Sequence, residues 1–299
     1  MKISACLKSM RLRTLPLSEA GVLLGTFIAL SKSGTGFWTI FFLILTTALL
    51  QIVSNLSNEL GDTLHGTDTA DSRQGMHYSI MDGDMTVPQM KRLIAVMVVL
   101  CCLSGLAMIW FSSGTFFALE PVALVVLGAA AIWAAMHYTL GSNPYGYRGL
   151  GDLFVFIFFG LVSVCGGYYV CSHDLGNLLV LLPGAGIGCW SIGVLNVNNI
   201  RDMKTDALTR TTVAMKMGEK GARVYQTVLV LLGWALMILY TALTAQGWKP
   251  WLFLVTLPLF ILHLRGVWNR KDRALDPMLP MLVMSSFITS LLMGIGILI

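Results

Sequence analysis

Charge is what this sequence has least of. Only 12% of its 299 residues are Asp, Glu, Lys or Arg, about half of the roughly 25% that soluble domains usually carry. Hydrophobic residues make up 56% of the chain, and the mean hydropathy is +0.75. So few charges cannot cover the surface of a water-soluble domain of this size, and the same composition excludes a disordered or collagen-like chain.

Cysteine is also sparse, and its six residues form no ligand pattern. The sequence contains no CxxC pair and no Cys/His cluster, so we expect neither a zinc site nor a disulfide framework. A net charge of +5 is poor evidence for nucleic-acid binding, because no basic patch stands on a soluble domain. The class that remains is a polytopic membrane protein.

Long apolar runs recur along the whole chain. A bilayer core of about 30 Å requires about 20 apolar residues per helix, and helices are expected because lipid cannot pair with free backbone groups. The sequence therefore predicts an all-α integral membrane protein in a single domain, residues 1–299, with nine helices in one bundle around a central cavity open to the cytoplasm. The expected spans are 15–32, 37–58, 90–112, 116–139, 150–171, 177–199, 223–244, 248–266 and 278–298.

The basic residues are distributed unequally between the connections. With nine spans, every Lys and Arg except Lys32 and Lys249 falls on one side of the membrane. Positive residues are retained on the cytoplasmic side. We therefore predict a cytoplasmic N-terminus and a C-terminus outside.

The 15 acidic residues are concentrated at two helix ends. Six of them lie between residues 59 and 84, and Asp202 and Asp206 follow the sixth span. Both clusters are expected at the cytoplasmic ends of even-numbered spans. Solvation of cytoplasmic loops is one explanation for such charges, but their spacing points to a second one.

Asparagine and aspartate recur at helical spacing in both clusters. In the first, Asn55, Asn58 and Asp62 stand at i, i+3 and i+7, on one helix face. The corresponding residues of the second cluster, at i, i+4 and i+8, are Asn198, Asp202 and Asp206. The two polar faces come from distant parts of the chain and are expected on the same side of the membrane.

Such a pair of acidic faces predicts a cation site. Clustered carboxylates repel one another, and their charge is costly at a low-dielectric boundary unless a cation neutralises it. All-oxygen donors favour Mg²⁺, which commonly takes one or two carboxylates while substrate phosphates complete its shell. We therefore expect a diphosphate held through Mg²⁺. The nearby cations that could contact its oxygens are Arg11, Arg13, Arg201 and Lys204.

These motifs resemble those of the UbiA superfamily of intramembrane prenyltransferases. That family commonly has Asn-Asp-x-x-Asp-x-x-x-Asp as its first motif and Asp-x-x-x-Asp as its second, and its nine helices agree with the count above. The resemblance is carried by residues 15–16, 55–68, 138–160 and 195–218. The segment Pro-Tyr-Gly-Tyr-Arg-Gly-Leu-Gly-Asp-Leu-Phe-Val-Phe at 144–156 is similar to the branch that prenylates 1,4-dihydroxy-2-naphthoate in menaquinone synthesis.

Several positions depart from the family pattern. Glu59 stands where the first acid is usually Asp, so the carboxylate is kept with a longer reach. Gly66 replaces the last Asp of the motif, and Asp68 follows two positions later. Leu12 replaces a frequent proline of the N-terminal stretch. These departures affect loop details rather than the motif.

The resemblance implies an enzyme that transfers a polyprenyl group from its diphosphate to an aromatic acceptor, with Mg²⁺ as cofactor. For 1,4-dihydroxy-2-naphthoate the co-products are diphosphate and CO₂, and the product is demethylmenaquinone. The implied location is the bacterial cytoplasmic (inner) membrane. The implied partners are the two substrates and the lipid bilayer, with no nucleic acid.

The site residues expected on this basis fall into sets. The metal set is Asn58, Asp62, Asp68, Asp202 and Asp206. The diphosphate set is Arg11, Arg201, Lys204 and Asn198. The catalytic set is Asp62, Asp202, Arg148, Tyr138 and Tyr145. The second choices are Glu59, Asn55 and Tyr147.

The aromatic and basic members of the catalytic set are expected at the acceptor. Arg148 is the only basic residue of its loop, so it is a candidate to pair with the acceptor carboxylate. A tyrosine face can stabilise the prenyl cation. The alternative for each tyrosine is an anchor at the membrane interface.

Other classes of membrane protein fit the sequence less well. A secondary transporter would place ionisable residues near the middle of the membrane, whereas these acids lie at one edge. A CDP-alcohol phosphotransferase would carry Asp-Gly and Ala-Arg spacings that this sequence lacks. Within the UbiA superfamily, the acceptor could instead be 4-hydroxybenzoate, homogentisate or a porphyrin.

Overall fold

A computed structural model describes residues 2–66, 79–206 and 210–299. Those ranges contain helices and connecting turns but no strand. A π-helical segment, Phe156–Val162, joins the sixth helix to the seventh. The α-helices in chain order are α1 Ile3–Met10, α2 Leu15–Leu30, α3 Phe37–Leu64, α4 Val87–Ser113, α5 Leu119–His137, α6 Gly151–Val155, α7 Ser163–Ser172, α8 Leu181–Arg201, α9 Met203–Asp206, α10 Val213–Thr244, α11 Leu257–Asn269 and α12 Met278–Leu298.

Eight helical segments in the described ranges are long and apolar enough to cross a membrane. They are Phe37–Leu64, Val87–Ser113, Leu119–His137, Gly151–Ser172, Leu178–Arg201, Val213–Thr244, Lys249–Asn269 and Asp272–Leu298. Each coincides with one of the predicted spans two to nine, which confirms an all-helical membrane protein. The first predicted span forms α2, whose 16 residues are fewer than the roughly 20 of a full crossing. The ninth crossing stays a prediction.

Helix α2 is largely buried by its neighbours. Ten of its 16 residues are buried. A Cβ atom added at Gly25 would lie 2.1 Å from the Val164 carbonyl oxygen of α7, and one added at Gly294 of α12 would lie 2.0 Å from the Phe27 ring. Small residues therefore allow α2 to pack closely against both helices, as is common in membrane bundles.

Helix α8 is buried in the same way. Trp190 is fully buried and packs on Trp234 and Phe260, with ring centroids 5.8 and 4.6 Å away. Its indole Nε1 donates to the Val230 carbonyl of α10 at 3.2 Å. Because α2 and α8 are fixed by the core, the polar residues at their ends are held in defined positions.

The two predicted motif helices end differently. Helix α3 runs without a break to Leu64, so Asn55, Asn58 and Asp62 lie on one helix, as their spacing predicts. Helix α8 ends at Arg201, and Asp202 is its C-cap with φ −95° and ψ 7°. The expectation of one continuous helix face through Asp206 is therefore wrong, because the chain leaves the helical conformation at Asp202 and starts the short helix α9.

Candidate active site

A polar cavity of about 440 Å³ lies between the C-terminal ends of α3 and α8. Asn58 and Asp62 line it from α3, and Asn198 lines it from α8 with the neighbouring Asp202. The turn between α1 and α2 and the start of α12 complete the wall. The structure thus brings together the two motifs that are far apart in sequence.

Arg201 connects the second motif to the turn before α12. Its Nε and Nη2 donate to the two carboxylate oxygens of Asp202 at 2.8 and 2.5 Å. Nη2 also donates to Asn198 Oδ1 at 2.7 Å, and Nη1 donates to Asp276 Oδ1 at 2.7 Å. Arg201 and Asp202 are each only 8% exposed, so these charge-assisted bonds fix the second motif strongly.

Asp276 is a residue of this site that the sequence did not reveal. It lines the cavity, although it follows a 3₁₀ turn about seventy residues after the second motif. The only sequence signal was an acid at the expected cytoplasmic start of the last span. Its partner Arg201 holds it in place: the guanidinium bonds to Asp202 and Asp276 at once, and the three groups together keep a net charge of −1.

Asp62 is held by a different pair of residues. The Tyr147 hydroxyl donates to Asp62 Oδ1 at 2.8 Å. Arg210 Nη1 lies 4.0 Å from the same oxygen, and the Arg210 guanidinium stands 6.0 Å from the centre of the Tyr147 ring. Tyr147, a second choice from the sequence, therefore orients a motif carboxylate, and Arg210 is a cavity residue that the sequence reasoning missed.

The arginines of the cavity come from three separate segments. Those that line it are Arg11, Arg13, Arg201 and Arg210. Arg11 has a left-handed backbone (φ 51°), which costs a non-glycine residue roughly 1–2 kcal/mol. Neighbouring hydrogen bonds offset that cost, because Asn55 Nδ2 donates to the Met10 carbonyl and to Thr14 Oγ1, each at 2.9 Å. Asn55 thus positions the Arg11 turn.

Apart from Tyr147, which bonds to Asp62, three described residues of the predicted sets line neither cavity. The Lys204 side chain is 74% exposed, and its Nζ lies 3.1 Å from Asp272. Arg148 is exposed. Glu59 is 1% exposed and its Oε1 accepts from the Ile80 backbone N–H at 3.0 Å. The roles given to these residues stay predictions.

The metal set also includes two acids whose side chains the structure does not describe. Asp68 lies outside the described residues, and so does the side chain of Asp206. Within the described ranges, no group of three His, Cys, Asp or Glu side chains is close enough to hold a metal ion. The donors at hand are two carboxylates and two amides, all of them oxygen ligands. That set fits Mg²⁺, which leaves much of its shell to water and phosphate, and does not fit zinc.

An apolar cavity of about 330 Å³ adjoins the polar one. The two share Gln51, Asn58, Tyr138, Val155, Phe159 and Leu195 as wall residues. Along α3 the apolar walls continue from Asn58 to Leu43, which is about 22 Å at 1.5 Å per residue. Small residues of α5, such as Gly128 and Ala131, face aromatic residues such as Phe158 across it. This space suits a long apolar chain.

Polar contacts tie helix ends together beyond the far end of the apolar cavity. Tyr169 donates to Glu120, and His173 Nδ1 lies 3.0 Å from the same carboxylate. Ser112 of α4 donates to the Val170 carbonyl at 2.7 Å, and Val170 lines the cavity. These contacts join α4, α5 and α7 at the end of the bundle opposite the motifs.

Tyr138 and Tyr145 stand where the two cavities meet. Tyr138 lines both cavities and Tyr145 lines the apolar one. Their rings meet edge to face at 5.4 Å, and Tyr145 stacks on Phe154 at 3.9 Å. The Tyr145 hydroxyl donates to the Ala134 carbonyl at 2.7 Å, and burial raises the pKa of this phenol. Tyr145 is therefore a neutral phenol, and both residues present aromatic rings to the apolar cavity, where a cation can be stabilised.

The fold and the paired motifs define the class of protein. The model of the UbiA prenyltransferase family matches residues 20–289, and the chain belongs to this family. It is an intramembrane prenyltransferase, which confirms the resemblance drawn from the motifs and excludes the transporter and phosphotransferase alternatives.

Two relatives are similar to this chain over nearly its whole length. The 1,4-dihydroxy-2-naphthoate octaprenyltransferase of Escherichia coli (strain K12) is 37% identical over 298 residues, covering 99% of this chain and 96% of that protein. The protein with the same description from Haemophilus influenzae (strain ATCC 51907 / DSM 11121 / KW20 / Rd) is 34% identical over 302 residues, covering 100% and 97%.

Solved structures support the fold. A UbiA homolog from Aeropyrum pernix K1 in its apo form superposes with a TM-score of 0.68 at 17% identity, covering 99% of this chain and 98% of that one. A UbiA homolog from Archaeoglobus fulgidus bound to DMAPP and Mg²⁺ gives a TM-score of 0.65 at 11% identity, covering 98% and 99%.

Proposed function

We propose that this prenyltransferase transfers a polyprenyl group from polyprenyl diphosphate to 1,4-dihydroxy-2-naphthoate, with release of diphosphate and CO₂, to give demethylmenaquinol, the reduced form of demethylmenaquinone. One observation carries the proposal: a polar cavity with both Asp motifs and four arginines opens into an apolar cavity suited to a long chain. The two relatives above support the choice of acceptor. The whole chain, residues 1–299, acts as one catalytic unit in this proposal.

The diphosphate binds in the polar cavity. Arg11, Arg13 and Arg210 come from two separate segments of its wall, and guanidinium groups form strong, directional bonds to phosphate oxygens. The N-terminal pair is held in place by the hydrogen bonds of Asn55 to the Arg11 turn. In this arrangement the reacting carbon of the prenyl chain lies near the wall residues that the two cavities share, and the chain itself extends into the apolar cavity.

Asp62, Asp202, Asn58 and Asn198 are the described residues that would hold Mg²⁺. The ion, when bound, supplies positive charge that stabilises the diphosphate as it leaves. Tyr147 keeps Asp62 oriented. Asp202 becomes available when Arg201 releases its two oxygens, and Asp276 and Asn198 then remain as partners of the guanidinium.

The apolar cavity protects the reaction from water. Departure of the diphosphate leaves an allylic cation, which water would capture in an open site. The rings of Tyr138 and Tyr145 stabilise that cation. The electron-rich acceptor ring then forms the new C–C bond, the bond to the ring carboxylate breaks as CO₂ leaves, and its electron pair restores the aromatic ring.

The same proposal places the protein in the cytoplasmic membrane. The positive residues assign the N-terminus and the polar cavity to the cytoplasmic side and the C-terminus to the outside. Both a diphosphate and a charged aromatic acid can then reach the cavity from the cytoplasm.

The test is an acceptor panel. The purified protein in lipid nanodiscs is incubated with Mg²⁺, labelled polyprenyl diphosphate and one acceptor at a time: 1,4-dihydroxy-2-naphthoate, 4-hydroxybenzoate or homogentisate. We expect a prenylated, decarboxylated product only with the first, identified by mass. Product with another acceptor and none with dihydroxynaphthoate would refute the proposed substrate.

A further inference from the structure

Among the uncharged side chains that the structure describes in the polar cavity wall, two buried atoms have no hydrogen-bond partner. They are Gln51 Oε1 and Ser191 Oγ, and both residues line the cavity. Gln51 is 8% exposed and Ser191 is 1% exposed. Buried polar groups are nearly always paired, and leaving one unpaired costs about 1–3 kcal/mol. The pair therefore indicates a ligand that satisfies both atoms.

The two residues occupy equivalent positions on their helices. Gln51 precedes Asn58 by seven residues and Asp62 by eleven, and Ser191 precedes Asn198 and Asp202 by the same intervals. Seven and eleven residues are close to two and three helical turns, so each set shares a face. At 1.5 Å per residue, Gln51 and Ser191 lie about 16 Å along their helices from the carboxylates, toward the membrane interior.

The chemistry of this inner end is specific. Gln51 Nε2 already donates to Asn55 Oδ1 at 3.1 Å and to Thr14 Oγ1 at 3.3 Å, so only its oxygen, an acceptor, remains. The Ser191 hydroxyl can donate. Thr14 contacts Gln51, and the cavity wall also includes apolar residues such as Leu17 and Val283. The Gln51 oxygen and the Ser191 hydroxyl thus offer one acceptor and one donor.

We propose that Gln51 and Ser191 form the subsite that binds the ring oxygens of the aromatic acceptor. A ring hydroxyl donates to Gln51 Oε1, and the Ser191 hydroxyl donates to a second ring oxygen. A polyprenyl chain has no polar atom to offer here, and the oxygens of its ionised diphosphate only accept hydrogen bonds, so neither part of that substrate can satisfy Gln51 Oε1. The identity of the acceptor rests on the proposed function, whereas the subsite requires only a hydroxylated aromatic ring.

The test uses Ser191→Ala, because the serine hydroxyl has no partner within the protein to lose. We expect both the Kd and the KM for dihydroxynaphthoate to rise about two- to ten-fold, the effect of one neutral hydrogen bond. The kcat and the KM for polyprenyl diphosphate should stay at wild-type values. Binding is measured by calorimetry in nanodiscs without prenyl diphosphate, so that it is independent of turnover.

Ser290→Ala is the matched control. Ser290 Oγ is likewise buried and unpartnered, but Ser290 is not among the wall residues of either cavity. It should leave acceptor binding unchanged. Ser191→Thr, which keeps the hydroxyl, should bind the acceptor with near wild-type affinity.

Acceptor analogues distinguish direct recognition of a ring oxygen from a general structural effect of Ser191→Ala. With 1-hydroxy-2-naphthoate and 4-hydroxy-2-naphthoate as ligands, the Ser191→Ala effect should vanish for the analogue that lacks the oxygen contacted by Ser191. Equal losses for both analogues and for prenyl diphosphate would overturn the subsite. The subsite would also be overturned if Ser191→Ala bound dihydroxynaphthoate with unchanged affinity while the wild-type enzyme prenylated this acceptor.

The same experiment distinguishes the two proposals. If the wild-type protein rejects dihydroxynaphthoate but binds another hydroxylated aromatic acid in a Ser191-dependent way, the proposed acceptor fails and the subsite stands.

Discussion

Removing the charge of Asp276 should weaken Mg²⁺ binding, although Asp276 is not one of the expected metal ligands. Arg201 holds both oxygens of Asp202 and, through another nitrogen, Asp276. In the proposed function, Asp202 binds the ion after the Arg201 guanidinium has released its oxygens. Asp276 lowers the energetic cost of that release, because Arg201, only 8% exposed, keeps an anionic partner. In Asp276→Asn, the same release leaves the buried Arg201 guanidinium without an anionic partner.

The size of the effect follows from the contact. A hydrogen bond to a charged group contributes about 1.5–3 kcal/mol. Asp276 is 41% exposed and asparagine keeps a carbonyl acceptor, so solvent screening and the retained bond reduce the loss to about 1 kcal/mol. That corresponds to roughly a five-fold higher dissociation constant for the ion.

The assay has two parts, both with the protein in nanodiscs. Binding is titrated without substrate, with Mn²⁺ as a spectroscopic substitute for Mg²⁺. The dependence of turnover on Mg²⁺ concentration is then measured with both substrates present. Asp272→Asn is the matched control, because Asp272 lies in the same turn, is 46% exposed and pairs with Lys204 outside the cavity. Equal ion affinities in the two variants, or tighter binding in Asp276→Asn, would refute the role given to Arg201 release.

Four further substitutions test other parts of the site and fold. Asp62→Asn and Asp202→Asn should each lower kcat/KM by about 100-fold or more, because each removes a carboxylate that would hold the Mg²⁺ whose charge stabilises the leaving diphosphate, while membrane extraction shows normal insertion; full activity in both would contradict the metal site. Tyr147→Phe should lower the rate about two- to ten-fold by freeing Asp62, and an unchanged rate would reject that role. Gly25→Ala should lower the free energy of unfolding by about 1–3 kcal/mol, seen as a lower Tm than in Gly128→Ala, since a Cβ at Gly128 meets no atom within 4 Å.

The sequence predicted the helices well because apolar length is a local property. The eight segments that can cross a membrane match predicted spans two to nine. The first motif was also predictable, because α3 continues through Asp62 and preserves the seven-residue interval from Asn55. The second was predicted less well. Its residue types were right, but the helix ends at Arg201, where the side chain of Arg201 holds the capping Asp202.

The remaining features of the site depend on contacts between distant segments. Arg210, Asp276 and Ser191 belong to no motif, and they enter the cavity only because α10, α12 and α8 pack together. Arg148 shows the limit of reasoning from a loop alone, and its role stays a prediction. As the only base in its loop it was a natural partner for the acceptor, yet the structure leaves it exposed and away from the described cavity walls.

Asn55 of α3 stabilises the backbone conformation of the Arg11 turn. Asn55 lies on the motif face of α3 but does not line the polar cavity; its amide holds the Met10 carbonyl and the Thr14 hydroxyl instead. Those bonds keep Arg11 in a left-handed conformation that a free turn would avoid. In the proposed function, Asn55 therefore acts on the diphosphate indirectly, by positioning the backbone of the Arg11 turn, while Asn55 itself lines the apolar cavity.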